Sequence, residues 1–382
     1  MPLSRRQFFG SALPLVVAGS AAGSALAQTA APAPPPTPND KLVLLAGDRA
    51  PQSPAEALAH LQQLLATLPQ VNDQYLGGGA VAELEKKFSA LLGKEDTVFM
   101  PTGTLANQIA LRILCGEARH ALVQQESHIY RDESNAVSML SNINAVPLAS
   151  GRAAPTVDEI REAIKRAEIG PYPIRVGAIA LESPVRRAAG ATLPQALVNE
   201  IAQLAKAKQI PMHLDGARLL LMCGIEGFRV KDYCAPFDTV YVSLYKYLGA
   251  GYGGVLSGSK AMMAKAREAR HVFGGTTAQG WMAALPALAA LDGAEQRFAA
   301  VRAAGERLLA GLEAMPGFKV QRVEHASNIA FVDMPPARIA GLERRLALAG
   351  IRARNPVDGK LELNFNETLL RRTTAELLAA IA

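Results

Sequence analysis

Cysteine is scarce in this 382-residue chain, with Cys115, Cys223 and Cys234 as the whole complement. Three thiols at these spacings form no zinc-ligand pattern and leave room for at most one bridge. Cys115 and Cys223 stand in apolar surroundings and read as small core residues. No Gly-Lys-Ser/Thr follows a glycine-rich turn, so a Walker A nucleotide loop is excluded. The formal charge of +6 comes from 40 basic and 34 acidic residues spread along the chain. No basic cluster argues for nucleic acid. No apolar run is long enough to argue for a membrane span, and no internal repeat occurs.

What is present begins with an export pattern. Ser4-Arg5-Arg6-Gln7-Phe8-Phe9 reads as a twin-arginine motif, and Leu13 to Ala27 is apolar and small. The stretch ends in Ala25-Leu26-Ala27, which predicts cleavage after Ala27 and a periplasmic location. Loss of Arg5 and Arg6 would lower the net charge from +6 to +4. Residues 28–40 are proline-rich and read as a semi-rigid tether.

Strand and helix patterns alternate through the middle of the chain. Strands are expected at Ala121–Gln124, Ile174–Leu181, Ile210–Leu214, Thr239–Ser243 and Gly254–Ser257, with helices between them. This pattern predicts an α/β fold: a mostly parallel sheet flanked by helices, in a large domain spanning 41–292. A helix at 295–312, short strands and a helix at 337–349 predict a smaller α+β domain over 293–382.

Two residues near the ends of these strands carry the strongest chemical signal. Asp215, in His213-Leu-Asp-Gly-Ala-Arg218, ends one strand, and Lys246, in Ser243-Leu-Tyr-Lys246, follows the next. A lysine amine can condense with the aldehyde of pyridoxal phosphate. A carboxylate can hold its ring nitrogen protonated, so that the ring accepts electrons from a substrate carbon. Pro101-Thr102-Gly103-Thr104 lies between a strand and a helix, where backbone N–H groups and hydroxyls can receive a phosphate. His128 follows the 121–124 strand and can stack on a pyridine ring or act as a base. Ser243 can add a hydrogen bond to the phosphate.

With those motifs in hand, the chain resembles the threonine aldolase and β-eliminating lyase group of fold-type-I pyridoxal-phosphate enzymes. The likeness runs from Val71 to Trp281. It rests on Gly93-Lys-Glu95, Pro101-Thr-Gly-Thr-Leu-Ala-Asn107, His128, Leu181-Glu182, the His213–Arg218 element, Lys246 and Gly274-Gly275. The resemblance implies that Lys246 holds the coenzyme, Asp215 its ring nitrogen and His128 its ring face. Gly103, Thr104 and Thr102 would cradle the phosphate, and Arg218 would lie near the substrate carboxylate. It further implies a homodimer or homotetramer with shared sites, placing Gly274–Thr277 near a neighbour's phosphate.

Several substrate positions depart from that group. Its Ser-Asp-Thr becomes Gly47-Asp48-Arg49, and its Glu-Asn-Thr-His becomes Glu182-Ser-Pro-Val185. Its Gly-Gly-Gly-Met-Arg-Gln becomes Gly274-Gly-Thr-Thr-Ala-Gln279. A late arginine that binds the substrate carboxylate becomes Glu362, which would repel a carboxylate. Arg186 or Arg187 could supply a replacement cation. The expectation is a lyase acting on an amino acid, cleaving a β-hydroxy amino acid to glycine and an aldehyde. β-Elimination, racemisation or transamination on the same scaffold are the alternatives. A non-catalytic exported coenzyme binder is another. Ser243-x-x-Lys246 also fits a serine acyltransferase nucleophile, but the partner Lys-Thr-Gly and Ser-Asp-Asn motifs are absent.

Overall fold

The computed structural model describes residues 41–382, which fall within one compact unit. The export motif and the proline-rich stretch lie outside the described residues.

Twelve strands occur among the described residues: β1 (Val43–Leu44), β2 (Asp96–Met100), β3 (His120–Gln124), β4 (Asn144–Leu148), β5 (Val176–Glu182) and β6 (Met212–Asp215), then β7 (Thr239–Ser243), β8 (Gly254–Gly258), β9 (Lys319–Arg322), β10 (Ile329–Asp333), β11 (Ile351–Arg352) and β12 (Lys360–Asn364). Seven of them form the central sheet in the order β2-β8-β7-β6-β5-β3-β4. The run from β7 to β4 is parallel, and β8 pairs antiparallel with both β7 and β2. Every residue of β5, β6 and β7 is buried, as apolar strands covered by helices on both faces must be.

Helices Gly79–Leu92, Gly103–Cys115 and Gln195–Ala207 supply apolar faces against this sheet. A second, antiparallel sheet, β12-β10-β9, gathers its own apolar cluster with the helix Ala294–Glu313. Val43 and Leu45 join that cluster, because β1 pairs with β11 more than 300 residues along the chain. No helix among the described residues is long and apolar enough to cross a membrane. The three cysteines are buried and unpaired.

Two local expectations are corrected. The helix expected over 337–349 is two short helices, Pro336–Ile339 and Leu342–Leu348, interrupted at Gly341, whose φ of 72° is left-handed. The strand expected from Ile174 begins at Val176, and Ile174 is 44% exposed.

The topology puts chemistry on one edge. Glu182, Asp215 and Ser243 are the last residues of the neighbouring strands β5, β6 and β7. In a parallel sheet, that carboxyl edge is where ligands bind.

Candidate active site

A buried hydrogen-bond network stands behind the strand ends, built around Asn107 from the helix Gly103–Cys115. Its Nδ2 donates to Asp215 Oδ2 and to Glu133 Oε1, each at 2.9 Å. Its Oδ1 lies 3.0 Å from His213 Nε2, and His213 Nδ1 lies 2.9 Å from the Thr239 hydroxyl. The Asp215 carboxylate fixes the amide orientation, since it requires a donor. Oδ1 therefore accepts, His213 donates from Nε2, and its Nδ1 accepts from Thr239. Burial holds His213 down to about 4, so the ring is neutral in this network at physiological pH. The Asp215 carboxylate also accepts the Ala217 backbone N–H at 3.1 Å.

Burial sets the charge state of the remaining acids. Glu133 is pushed up to about 8 by burial, against the opposing bond from Asn107. Its Oε2 is buried without a partner. Glu182 is also raised, first by burial and then by Asp215, despite accepting the backbone N–H of His128 at 2.6 Å and of Arg186 at 2.9 Å. Asp48 behaves oppositely. Burial opposes its charge, but a bidentate bond from Arg218, at 3.1 Å to each oxygen, and the Tyr247 hydroxyl at 2.8 Å hold it low.

Lys246 is 7% exposed and makes no hydrogen bond or ion pair with any described residue. Its amine lies 5.9 Å from the Tyr245 ring centroid. Burial lowers its pKa and the Arg218 charge lowers it further, while Asp215, Asp48 and Glu182 pull it back. An amine with a depressed pKa is the form that attacks a carbonyl.

Lys246 opens into a cleft of about 260 Å³ lined by Pro101, Thr102, Gly103, Thr104, His128 and Tyr241 on one side. Tyr245 and the turn Gly251-Tyr252-Gly253 line it as well. Thr102 caps the helix, accepting the Leu105 N–H at 3.2 Å. The N–H groups of Gly103 and Thr104, in the first turn, have no intrahelical acceptor. A Cβ on Gly103 would lie 2.2 Å from the Tyr241 hydroxyl, so only glycine fits there. The Ser243 hydroxyl is buried and makes no hydrogen bond of acceptable geometry, although Tyr241 lies close enough to feel it. Free N–H groups, an unpartnered hydroxyl, an unengaged amine and a strand-end carboxylate together fit pyridoxal phosphate.

The structure thus brings Lys246, His128, Thr102, Gly103 and Thr104 to one cleft; Asp215 and Arg218 are near enough for their charges to act on Lys246, and Ser243 ends the strand that leads to it. Arg186 touches the network only through its backbone N–H; its guanidinium has no ion-pair partner among the described residues. Arg187 instead grips Asp132. Glu362 pairs with Arg354 at 2.9 Å and accepts from Asn364 at 2.8 Å. Val185 is fully buried in the main core. Asn107, Glu133, Asp48 and Tyr247 were not singled out from sequence as site residues. Asn107 gave one usable signal, an amide among apolar residues on a helix face turned to the sheet.

Residues 53–335 match the beta-eliminating lyase family. The chain belongs to that family. It is a pyridoxal-phosphate-dependent lyase of fold type I. It is 29% identical over 270 residues to the Arabidopsis thaliana protein named "Probable low-specificity L-threonine aldolase 2", covering 70% of this chain and 76% of the relative. An alanine racemase of Cochliobolus carbonum is 31% identical over 52% of this chain and 51% of its own. The solved Leishmania major threonine aldolase shares the fold at a TM-score of 0.70, with 19% identity over 88% of this chain and 98% of that one.

Proposed function

We propose that the chain cleaves the Cα–Cβ bond of a β-hydroxy amino acid, releasing glycine and an aldehyde. The observation that carries this reading is Lys246: buried, unengaged, of lowered pKa, and opening on a cleft with a phosphate-sized cradle. When bound, pyridoxal phosphate supplies an aldehyde for the amine and a ring that stores the electron pair left on Cα.

The chain's residues supply the rest. Lys246 would hold the coenzyme aldehyde until a substrate amine takes its place. Asp215, oriented by Asn107 and the Ala217 N–H, keeps a proton at the ring nitrogen. Thr102, Gly103, Thr104 and Ser243 hold the phosphate by N–H and hydroxyl donors. His128 covers the ring face. Arg218, pinned by Asp48, and Arg186 are the cations available for the substrate carboxylate. With the coenzyme bound, these contacts would decide which bond at Cα is weakened. The deeply buried Val185 favours racemisation or β-elimination as a second reading, because neither removes a β-hydroxyl proton.

A homodimer or homotetramer is part of the same proposal. The Thr276 hydroxyl is buried without a partner, and Tyr75, Val272 and Met282 are exposed beside that segment. Export by the twin-arginine route to the periplasm is proposed from the N-terminal motif alone.

The test is the purified protein, with coenzyme, mixed with threonine and other β-hydroxy amino acids. Expected are glycine plus aldehyde and a change in the visible spectrum, both lost in Lys246→Ala. Pyruvate and ammonia, or inverted alanine without glycine, would replace the aldolase reading by one of the alternatives.

A further inference from the structure

We propose that Asp132, clamped by Arg187, fixes the His128 ring with its proton on Nδ1 and a bare Nε2 turned into the cleft. This pair would handle the β-hydroxyl proton that the residue at 185 cannot reach. The second half rests on the aldolase reading above; the first does not.

The geometry is a relay of three side chains from two loops. Arg187 Nε donates to Asp132 Oδ1 at 3.1 Å and Oδ2 at 2.9 Å, and its Nη2 reaches Oδ1 as well. Asp132 Oδ2 then meets His128 Nδ1 at 3.2 Å. On the other edge of the ring, Nε2 lies 4.0 Å from the buried Glu133 Oε1, and the His128 side chain lines the cleft that also contains Lys246.

The protonation follows from the donors. The Arg187 guanidinium uses both of its facing N–H groups on Asp132, which keeps that carboxylate ionised and acceptor-only. Its pKa is lowered accordingly: burial opposes the charge, but the Arg187 bonds and the Arg187 charge prevail. A bond between Asp132 and Nδ1 therefore needs the hydrogen on Nδ1. In a neutral imidazole the other nitrogen is then a lone pair. Nε2 is then the basic atom, on the Glu133 edge of a ring that lines the cleft.

The chemistry balances without another reactant. Nε2 takes the β-hydroxyl proton, the Cα–Cβ pair moves to Cα, and the oxygen left behind becomes the aldehyde carbonyl. The imidazolium so formed is stabilised by Asp132, and its proton is returned to Cα, which needs one to leave as glycine. Asp132 and Arg187 touch no substrate; they are positioning residues.

The test starts with histidine-selective ¹⁵N labelling of the full-length protein and two-bond ¹H–¹⁵N correlation, with His128→Gln to assign the ring. Wild type should show the Nδ1–H form. Asp132→Ala should convert it to Nε2–H, and Arg187→Lys should retain Nδ1–H. Nε2–H in wild type overturns the relay even if no variant folds, as does Nδ1–H surviving Asp132→Ala. In the coenzyme-loaded enzyme, Asp132→Ala should lower kcat for threonine cleavage at least about tenfold with KM nearly unchanged. Unchanged kcat overturns the proton-handling half. If wild type shows Nδ1–H but cleaves no β-hydroxy amino acid, the aldolase reading fails, the proton-handling half falls with it, and the positioning half stands.

Discussion

Replacing Asn107 with alanine should be among the most damaging single changes available outside the apolar core. Asn107 is 0% exposed, and its amide makes three hydrogen bonds, to Asp215, Glu133 and His213. Alanine leaves two carboxyl oxygens and an imidazole N–H facing a small void. Each unsatisfied buried polar group costs about 1–3 kcal/mol, so simple addition gives about 3–9 kcal/mol. Two effects reduce that sum. Glu133 already holds a proton readily, and a water fits the vacated space if two or more polar partners line it. Members of one network also do not add. The expected loss is about 3–5 kcal/mol.

Urea unfolding without coenzyme, followed by circular dichroism at neutral pH, measures it. Gln108→Ala is the control, because Gln108 sits on the same helix, is equally buried, and donates one bond to Ser141 at 2.8 Å. The control should lose about 1–2 kcal/mol. A loss for Asn107→Ala below about 1 kcal/mol, or no larger than the control, would refute the network as a source of stability. Asn107→Asp should be worse as pH rises, because it sets a third carboxylate against two others.

Further tests address charge, space and export. Glu133 has a folded pKa of about 8 against 4.5 unfolded, so its contribution is complete below about 4.5 and is lost as pH rises through about 8. Coenzyme-free protein should therefore lose stability from pH 5 to 9, and Glu133→Gln should flatten that profile in thermal melts; an unaltered slope would assign the loss elsewhere. Gly103→Ala should cost about 1–3 kcal/mol from overpacking against Tyr241 and should weaken coenzyme uptake in a spectral titration, whereas Gly116→Ala, at the other end of that helix, should lose stability through its φ of 52° yet leave uptake intact. Arg5→Lys with Arg6→Lys should retain the protein in the cytoplasm of a host with a twin-arginine translocase; periplasmic recovery of the double variant would contradict the export proposal.

The sequence made the parts of this site visible where the signal is local. Asp215, Ser243 and Thr102 sit at strand ends, and strand ends are marked by a switch from apolar runs to glycine and polar residues. The supporting residues are invisible for the opposite reason. Arg218 and Asp48 are 170 positions apart, and Asn107 and Asp215 are 108 apart. Nothing in either segment states that they meet. The resemblance puts Arg218 near the substrate carboxylate, and the fold adds what no local signal showed, a bidentate bond to Asp48. β4 escaped notice because it is an edge strand containing Pro147, and none of its residues is fully buried. An edge tolerates proline and imposes no continuous apolar pattern. The helix expected over 337–349 failed at Gly341, where apolar spacing continues across a residue that breaks the backbone geometry.

The placements of Val185 and Arg187 after β5 have one structural origin. Val185 precedes the 3-10 turn Arg186–Ala188, and Arg187 lies two residues on. In so tight a turn, residues two apart leave on different sides. Packing Val185 into the core, where it is 0% exposed, thus goes with turning Arg187 outward to Asp132. A histidine at 185 could not share that buried position without an unsatisfied ring nitrogen, at about 1–3 kcal/mol. Restoring it should therefore not restore a base to the cleft. The loop that lost its imidazole instead holds, through Arg187 and Asp132, the imidazole on the facing loop. The double variant Val185→His with Asp132→Ala should consequently be no more active than Asp132→Ala alone, and recovery of cleavage in that variant would break this link.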